Sequence, residues 1–326
     1  MKACHSEFVQ HRGRRLHMRI WGCEAAPPLV LLHGWCDVSA SFQFVVDALE
    51  RDWRVLAPDW RGFGLSEWNR DVYWFPDYIA DLDALLVHYS PGSPVRLVGH
   101  SLGGNAACLY AGIRPARVAG VVNLEGLGLR PYVADEAPQR YANWLDQLRD
   151  VPTFRSYPDR SAFAARLQQE NPRLTDDKAR FLAECMGEDD GAGGIHLAAD
   201  PFHRGVNPII YRLEEAKAIW RQVTAPVLWV TAADSFLFKQ MFAVDSEDYR
   251  SRIACFTNIR DVVLRECGHN LHTDQPRQVA GLVEEFFAAC SRSMPTSTAI
   301  RRCPTGCWRR PRSCAGRTAM AWNCCH

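Results

Sequence analysis

A chain of 326 residues, 47% hydrophobic and 23% charged, has ample apolar material for a large buried core, and disorder is not its default. Its formal net charge of +1 gives no global field favouring nucleic acid or an anionic membrane surface, so a partner must be argued from a site. The start MKACHSEFVQHRGRRLHMRIWG lacks the apolar block of a secretory signal, and no apolar run is long enough to span a bilayer. The expectation is a cytoplasmic protein with no membrane partner.

In chain order, aliphatic and β-branched runs predict strands at 16–21 (LHMRIW), 28–33 (PLVLLH), 53–58 (WRVLAP), 95–100 (VRLVGH), 118–124 (VAGVVNL), 226–232 (PVLWVTA) and 259–265 (IRDVVLR). Several are apolar throughout, as strands covered on both faces of a parallel sheet must be. Between them, residues 40–50, 77–89, 102–113 and 276–289 repeat apolar positions three and four apart, with Ile79, Leu82, Leu85 and Leu86 on one face. Alternating strand and helix predict an α/β fold with a doubly wound, mostly parallel sheet.

The alternation stops from Leu127 to Gln222, where helix patterns appear without convincing strands: Tyr141, Trp144, Leu145 and Leu148 share a face, Thr175 before Asp176 reads as a helix start, and Leu213, Ala216, Trp220 and Val223 share another. An insertion at the carboxyl edge of a parallel sheet usually covers a site. The expected organisation is a core over 1–126 and 223–289 with a helical cap at 127–222. Residues 290–326 differ: six of the chain's thirteen cysteines fall there, Arg is frequent, and Asp and Glu are absent. This Cys- and Arg-rich tail is expected to be disordered, with Cys303 and Cys307 a conceivable ligand pair. The body's cysteines, among them Cys23, Cys36, Cys108, Cys185 and Cys255, sit singly in apolar segments and read as buried free thiols.

The chemistry concentrates at LVGHSLGG, residues 97–104. A Gly-x-Ser-x-Gly pentapeptide alone arises by chance in roughly one chain in ten of this length, so its setting must decide. Here Gly99-His100-Ser101-Leu102-Gly103 ends a strand and opens a helix, the context of a nucleophile elbow. Two glycines let strand and helix approach while a strained backbone projects the Ser101 hydroxyl. A serine needs a base, and the base needs an orienting carboxylate. His269, in ECGHNLH after the last strand, is the expected base, with His272 a weaker rival. Asp234, in VLWVTAADS, is the expected acid, and Glu125, at the end of the preceding strand in NLEGLG, is the alternative. The backbone N–H groups of Trp35, after His33-Gly34, and of Leu102 are the expected oxyanion hole.

His33 and Asp59 read as structural, with Asp59, Arg61, Gly62 and Gly64 forming a turn held by ionic hydrogen bonds; His100 reads as packing, and His203 as a minor pocket candidate. No Gly-x-Gly-x-x-Gly follows the first strand and no His-Glu-x-x-His or carboxylate cluster appears, so neither a cofactor nor a metal is expected.

With these segments in order, LLHGW, APDWRGFGLS, LVGHSLGG, PVLWVTAADS and ECGHNLHTDQPRQVA, the chain from about residue 14 to 289 resembles an α/β-hydrolase-fold serine hydrolase. NLEGLG and DPFHRGVNPIIYRLEEAKAIW further resemble cap segments of the serine hydrolase-like, capped esterase subgroup. One departure is VTAAD, where the family often places Gly shortly before the acid. The resemblance implies a cofactor-free hydrolase of carboxylic esters with small to medium apolar groups, acting through an acyl-enzyme as a monomer or homodimer on a small-molecule substrate. Serine at the nucleophile position disfavours dehalogenase or epoxide hydrolase chemistry, which in this fold uses aspartate there. Cleavage of carbon-carbon or amide bonds, acyl transfer, and a non-catalytic ligand-binding role are the alternatives. Trp35, Tyr141, Trp144, Phe154, Phe202, Tyr211 and Trp220 supply aromatic surface for a pocket.

Overall fold

A computed structural model describes residues 1–150, 152–237 and 246–293. Its strands are β1 (Cys4–His11), β2 (Arg14–Trp21), β3 (Pro28–Leu32), β4 (Arg54–Pro58), β5 (Val95–His100) and β6 (Val118–Leu124). They continue with the short β7 (Gly187–Asp189) and β8 (Ile195–Leu197), then β9 (Val227–Ala232) and β10 (Ile259–Leu264). Eight of them form one sheet in the order β1-β2-β4-β3-β5-β6-β9-β10. The pairs β1–β2 and β2–β4 are antiparallel, and every pair from β4 to β10 is parallel.

The apolar strands are apolar because both their faces are covered. Along β3, Val30 and Leu32 enter one core with Leu97, Val121 and Trp229, whereas Leu29 and Leu31 enter the other with Val98, Val122 and Leu228. The first core is closed by α2 (Phe75–Tyr89) and α3 (Leu102–Ile113), which follow α1 (Gln43–Ala48) in the chain and supply Leu82, Leu85 and Ala107. Helix α1 covers the second core instead, through Val45 and Val46. Each fully buried Leu, Val or Ile contributes roughly 1.5–3 kcal/mol, and truncating a Leu to Ala costs about 2–5 kcal/mol.

Between β6 and β9, which pair directly, the chain makes α4 (Ala137–Gln147), α5 (Arg160–Glu170), α6 (Asp176–Met186) and α7 (Leu213–Trp220). Side-chain caps start two of them: Asp159 accepts from the Ala162 N–H at 2.8 Å and Thr175 from the Lys178 N–H at 3.4 Å. Helices α5 and α6 form a third core with Val38 and Ala40 of the loop after β3. Helix α7, in contrast, places Leu213, Ala216 and Trp220 in the first core. The expected cap range of 127–222 thus contains one helix whose apolar face belongs to the sheet. After β9, α8 (Glu247–Ile253) precedes β10, and α9 (Pro276–Ser293) closes the second core.

Several elements escape the sequence reading, β1, α5, β7, β8 and α8 among them. Strand β1 is mostly exposed and polar, and it pairs with β2 through an Arg12-Gly13 turn in which both residues have positive φ, 48° and 73°. Strands β7 and β8 are three residues each, too short for a period to stand out, so their pairing shows only in three dimensions. Helix α9 continues through Cys290 to Ser293, past the expected start of the tail. Residues 294–326, with Cys303 and Cys307, lie outside the described ones. Among the described residues Cys108, Cys255 and Cys267 are buried thiols, but Cys36 and Cys185 are only partly buried and Cys23 is exposed, contrary to the buried-thiol reading. No helix among the described residues is long and apolar enough to cross a membrane.

Candidate active site

The residues in question lie at the carboxyl ends of parallel strands, where open α/β sheets place their ligands. Ser101 sits between β5 and α3 at φ 52° and ψ −113°, a conformation that side chains rarely adopt. The ladder holds it there: the Ser101 N–H donates to the Leu124 carbonyl at 2.8 Å. The bracketing glycines are required by close approach, since a Cβ on Gly99 would lie 2.3 Å from the Gly103 carbonyl oxygen and one on Gly103 would lie 2.1 Å from that of Leu32. Leu102 opens α3, so its N–H is among those at a helix N-terminus without an intrahelical acceptor.

The loop after β3 is pressed against this corner. A Cβ on Gly34 would lie 2.8 Å from His100 Nδ1 and 3.3 Å from Ser101 Cβ. His33, buried and pushed by that burial below its ordinary value of 6.5, is neutral. Its Nε2 accepts from the Trp60 N–H at 2.9 Å, so Nδ1 carries the proton and donates to the Gly34 carbonyl at 2.7 Å. The peptide linking Gly34 to Trp35 is planar and trans, so the Trp35 N–H points away from the His33 ring. The structural role expected of His33 is therefore to orient this peptide.

His269 follows β10, and its Nδ1 lies 3.2 Å from Glu125 Oε2. Glu125 is fully buried at φ 61°, directly after β6. Its Oε1 accepts from the Ala232 N–H at 2.6 Å, and its Oε2 also accepts from the Ser235 hydroxyl. The expected acid, Asp234, is elsewhere: its side chain is 45% exposed and pairs with Arg173 of the insertion at 2.7 Å. The turn after β9 explains the difference. It directs Ser235 inward, fully buried, and its neighbour Asp234 outward. Ser235 is short and uncharged, and the carboxylate facing the imidazole comes from the adjoining strand end, as the alternative Glu125 anticipated.

Ser101, Trp35 and His269 line one cavity of about 710 Å³, walled on the opposite side by Phe154, Tyr157 and Leu182 of the insertion. Of the aromatic residues expected to line a pocket, Trp35 and Phe154 do so. Trp144 and Phe202 border a separate small cavity, Trp220 is in the core, Tyr211 packs against it, and Tyr141 is solvent-exposed.

The other histidines also have definite places. His203 is stacked between Phe63 at 3.8 Å and Tyr73 at 3.6 Å, away from the Ser101 cavity, and burial pushes it down to about 3. Asp59 accepts from His17 Nδ1 at 2.7 Å and from the N–H groups of Ser39 and Leu65 at 2.6 and 2.9 Å. Burial would raise its carboxyl, but those bonds outweigh it and hold Asp59 below the usual carboxylate range. Arg61 forks onto Asp81 at 2.6 and 2.5 Å, so the turn is held by ionic hydrogen bonds. His100 is buried, and that burial together with neighbouring His272 and His269 pushes it well below 6.5. The linear pattern does not announce that Asp37, His100 and His272 come together beside Ser101. The only trace is the His269-Asn-Leu-His272 spacing.

A family model described as the alpha/beta hydrolase fold matches residues 27–276. The chain is 31% identical over 287 residues to a serine hydrolase-like protein of Danio rerio, covering 83% of this chain and 85% of that one. It is 28% identical over 288 residues to the 3-hydroxybutyrate-oligomer hydrolase of Cupriavidus necator, covering 84% of this chain and 92% of the relative. Among solved structures, a thioesterase domain from the curacin biosynthetic pathway superposes with a TM-score of 0.78 at 26% identity, over 87% of this chain and 99% of that domain.

Proposed function

The chain belongs to the α/β hydrolase fold family, and from that premise we propose that it hydrolyses carboxylic esters with small to medium apolar groups through an acyl-enzyme on Ser101. The reading rests on one observation above the rest: the strained Ser101 and His269, whose Nδ1 faces the buried Glu125 carboxylate, border the same cavity.

In this reading His269 Nε2 takes the Ser101 proton as the hydroxyl oxygen attacks the ester carbonyl, and Glu125 keeps the proton on Nδ1 and stabilises the imidazolium. The N–H groups of Trp35 and Leu102 hold the oxyanion, each such donor being worth about 2.7–4 kcal/mol of transition-state stabilisation. The alcohol leaves with the proton from His269. Water, deprotonated by the same imidazole, then cleaves the acyl-serine bond, releasing the carboxylic acid and restoring Ser101. The wall of Phe154, Tyr157, Phe163, Leu174 and Leu182 suits an apolar acyl or alkyl group. A relative named as an oligomer hydrolase and a neighbour named as a thioesterase domain are consistent with acyl chemistry. The insertion acts as the cap, and the working form is a monomer or homodimer in the cytoplasm.

The test is reaction with a fluorophosphonate read by intact mass, paired with turnover of p-nitrophenyl esters and of ring-cleavage diketones. Wild type gains one adduct and turns over the esters, whereas Ser101→Ala gains none and His269→Ala reacts far more slowly. An adduct on Ser101→Ala, or preference for the diketones, overturns the assignment. Labelling without turnover of any substrate would favour a binding protein on a hydrolase scaffold.

A further inference from the structure

Three buried or nearly buried side chains beside the nucleophile are used by none of the steps above. His100 precedes Ser101 in the chain, and Asp37 and His272 line the same cavity. One donor atom from each of the three lies within 4.8 Å of the other two. His272 Nε2 is 3.5 Å from Asp37 Oδ2. Tetrahedral coordination with bonds of about 2.0–2.1 Å separates neighbouring ligand atoms by about 3.4 Å, so this pair already has the spacing and a torsional adjustment brings in the third.

The state of the imidazoles is the second observation. His100 is 2% exposed, and its Nε2 lies 2.8 Å from the His269 carbonyl oxygen, which only accepts. Nε2 therefore carries the proton, and Nδ1 is a bare lone pair, buried and without a hydrogen-bond partner among the described residues. The His272 ring is centred 4.3 Å from that of His100, with Nε2, the atom turned to Asp37, as its ligand and Nδ1 keeping the ring proton. An imidazole whose far nitrogen donates to a backbone carbonyl is oriented as metal-ligating histidines are. Asp37 is held in turn by the Val38 N–H and the Ser41 hydroxyl, both at 2.8 Å. Two imidazoles and one carboxylate suit a zinc-like divalent transition ion, not magnesium or calcium, which take oxygen ligands.

We propose that Asp37, His100 and His272 bind one divalent transition-metal ion and that the bound ion inhibits the hydrolase. The rings of His100 and His269 are centred 4.8 Å apart. A doubly charged ion on His100 opposes the imidazolium that His269 must become when it takes the Ser101 proton. The inhibitory half rests on the function proposed above; binding does not.

The experiment is a calorimetric titration of the full, EDTA-stripped chain with zinc, repeated with cobalt(II) followed by visible absorption. Because the chain is cysteine-rich, the comparison is between wild type and the variants Asp37→Asn and His272→Gln. Each variant loses one equivalent, and the lost cobalt signal has d–d bands without thiolate charge transfer. His269→Ala retains the equivalent. Zinc slows wild-type turnover of a p-nitrophenyl ester, and the variants resist it. Wild-type binding by both variants, or loss of the equivalent in His269→Ala, overturns the site. Undiminished turnover with the site filled overturns the inhibition. A chain that hydrolyses no ester defeats the hydrolase reading, while the titration still decides the site.

Discussion

Glu125 Oε2 lies 3.2 Å from His269 Nδ1, joining the end of β6 to the loop after β10 across the intervening strand β9. The same carboxylate accepts from the N–H of Ala232, the last residue of β9, and from the Ser235 hydroxyl in the turn after it, so three strand ends meet on one buried charge. Asp234, the residue one place away in that turn, faces solvent and Arg173.

Glu125→Gln is therefore expected to lower kcat by about 10⁴, the effect of replacing an orienting carboxylate by an amide that favours the wrong tautomer. Asp234→Asn is expected to cost less than about tenfold, because a half-exposed ion pair contributes only about 0–1 kcal/mol. Steady-state kinetics of both variants on one ester checks this, and the reverse ranking would return the role to Asp234.

His33 donates from Nδ1 to the Gly34 carbonyl and so sets the direction of the Trp35 N–H. His33→Ala should lower kcat by up to about 10²–10³, the worth of one oxyanion donor, with KM little changed. His33→Asn, whose side-chain amide replaces the Nδ1–H donor, should recover part of that loss. A defect in KM alone, or no recovery with Asn, would reduce His33 to packing.

Acid should destabilise the fold through His203. Its folded value is pushed down to about 3 by burial, against 6.5 for an unburied histidine. Between these values the unfolded chain binds a proton that the folded chain does not, so stability is full above the unfolded value and lost as pH falls. His203→Gln should flatten urea-derived stability between pH 7 and pH 5 by about one proton, or about 1.4 kcal/mol per pH unit below 6.5. An unchanged slope would mean that His203 is protonated in place.

The elbow's tight contacts give a steric prediction. Gly103→Ala would drive a Cβ to 2.1 Å from the Leu32 carbonyl oxygen, whereas a Cβ on Gly92 meets nothing within 4 Å. Gly103→Ala should destabilise by about 1–3 kcal/mol and slow fluorophosphonate labelling, with Gly92→Ala close to wild type in both thermal melts and labelling.

What the linear chain determined by itself is local. Runs such as PLVLLH and VAGVVNL state that both faces of a strand are covered, and the placement of Gly-x-Ser-x-Gly between strand and helix states where the backbone must bend, because burial period and steric bulk are properties of neighbouring residues. The resemblance of the ordered segments to a hydrolase family rested on the same local patterns, and the antiparallel β1–β2 pair at one edge left no such mark, since β1 is polar and exposed. Only the tertiary structure decided that Glu125, not Asp234, meets His269, that α7 joins the main core, and that Asp37, His100 and His272 share a corner. Each depends on strand register and on which way a turn directs consecutive side chains. A shift of one residue reverses that direction while leaving composition and motif unchanged.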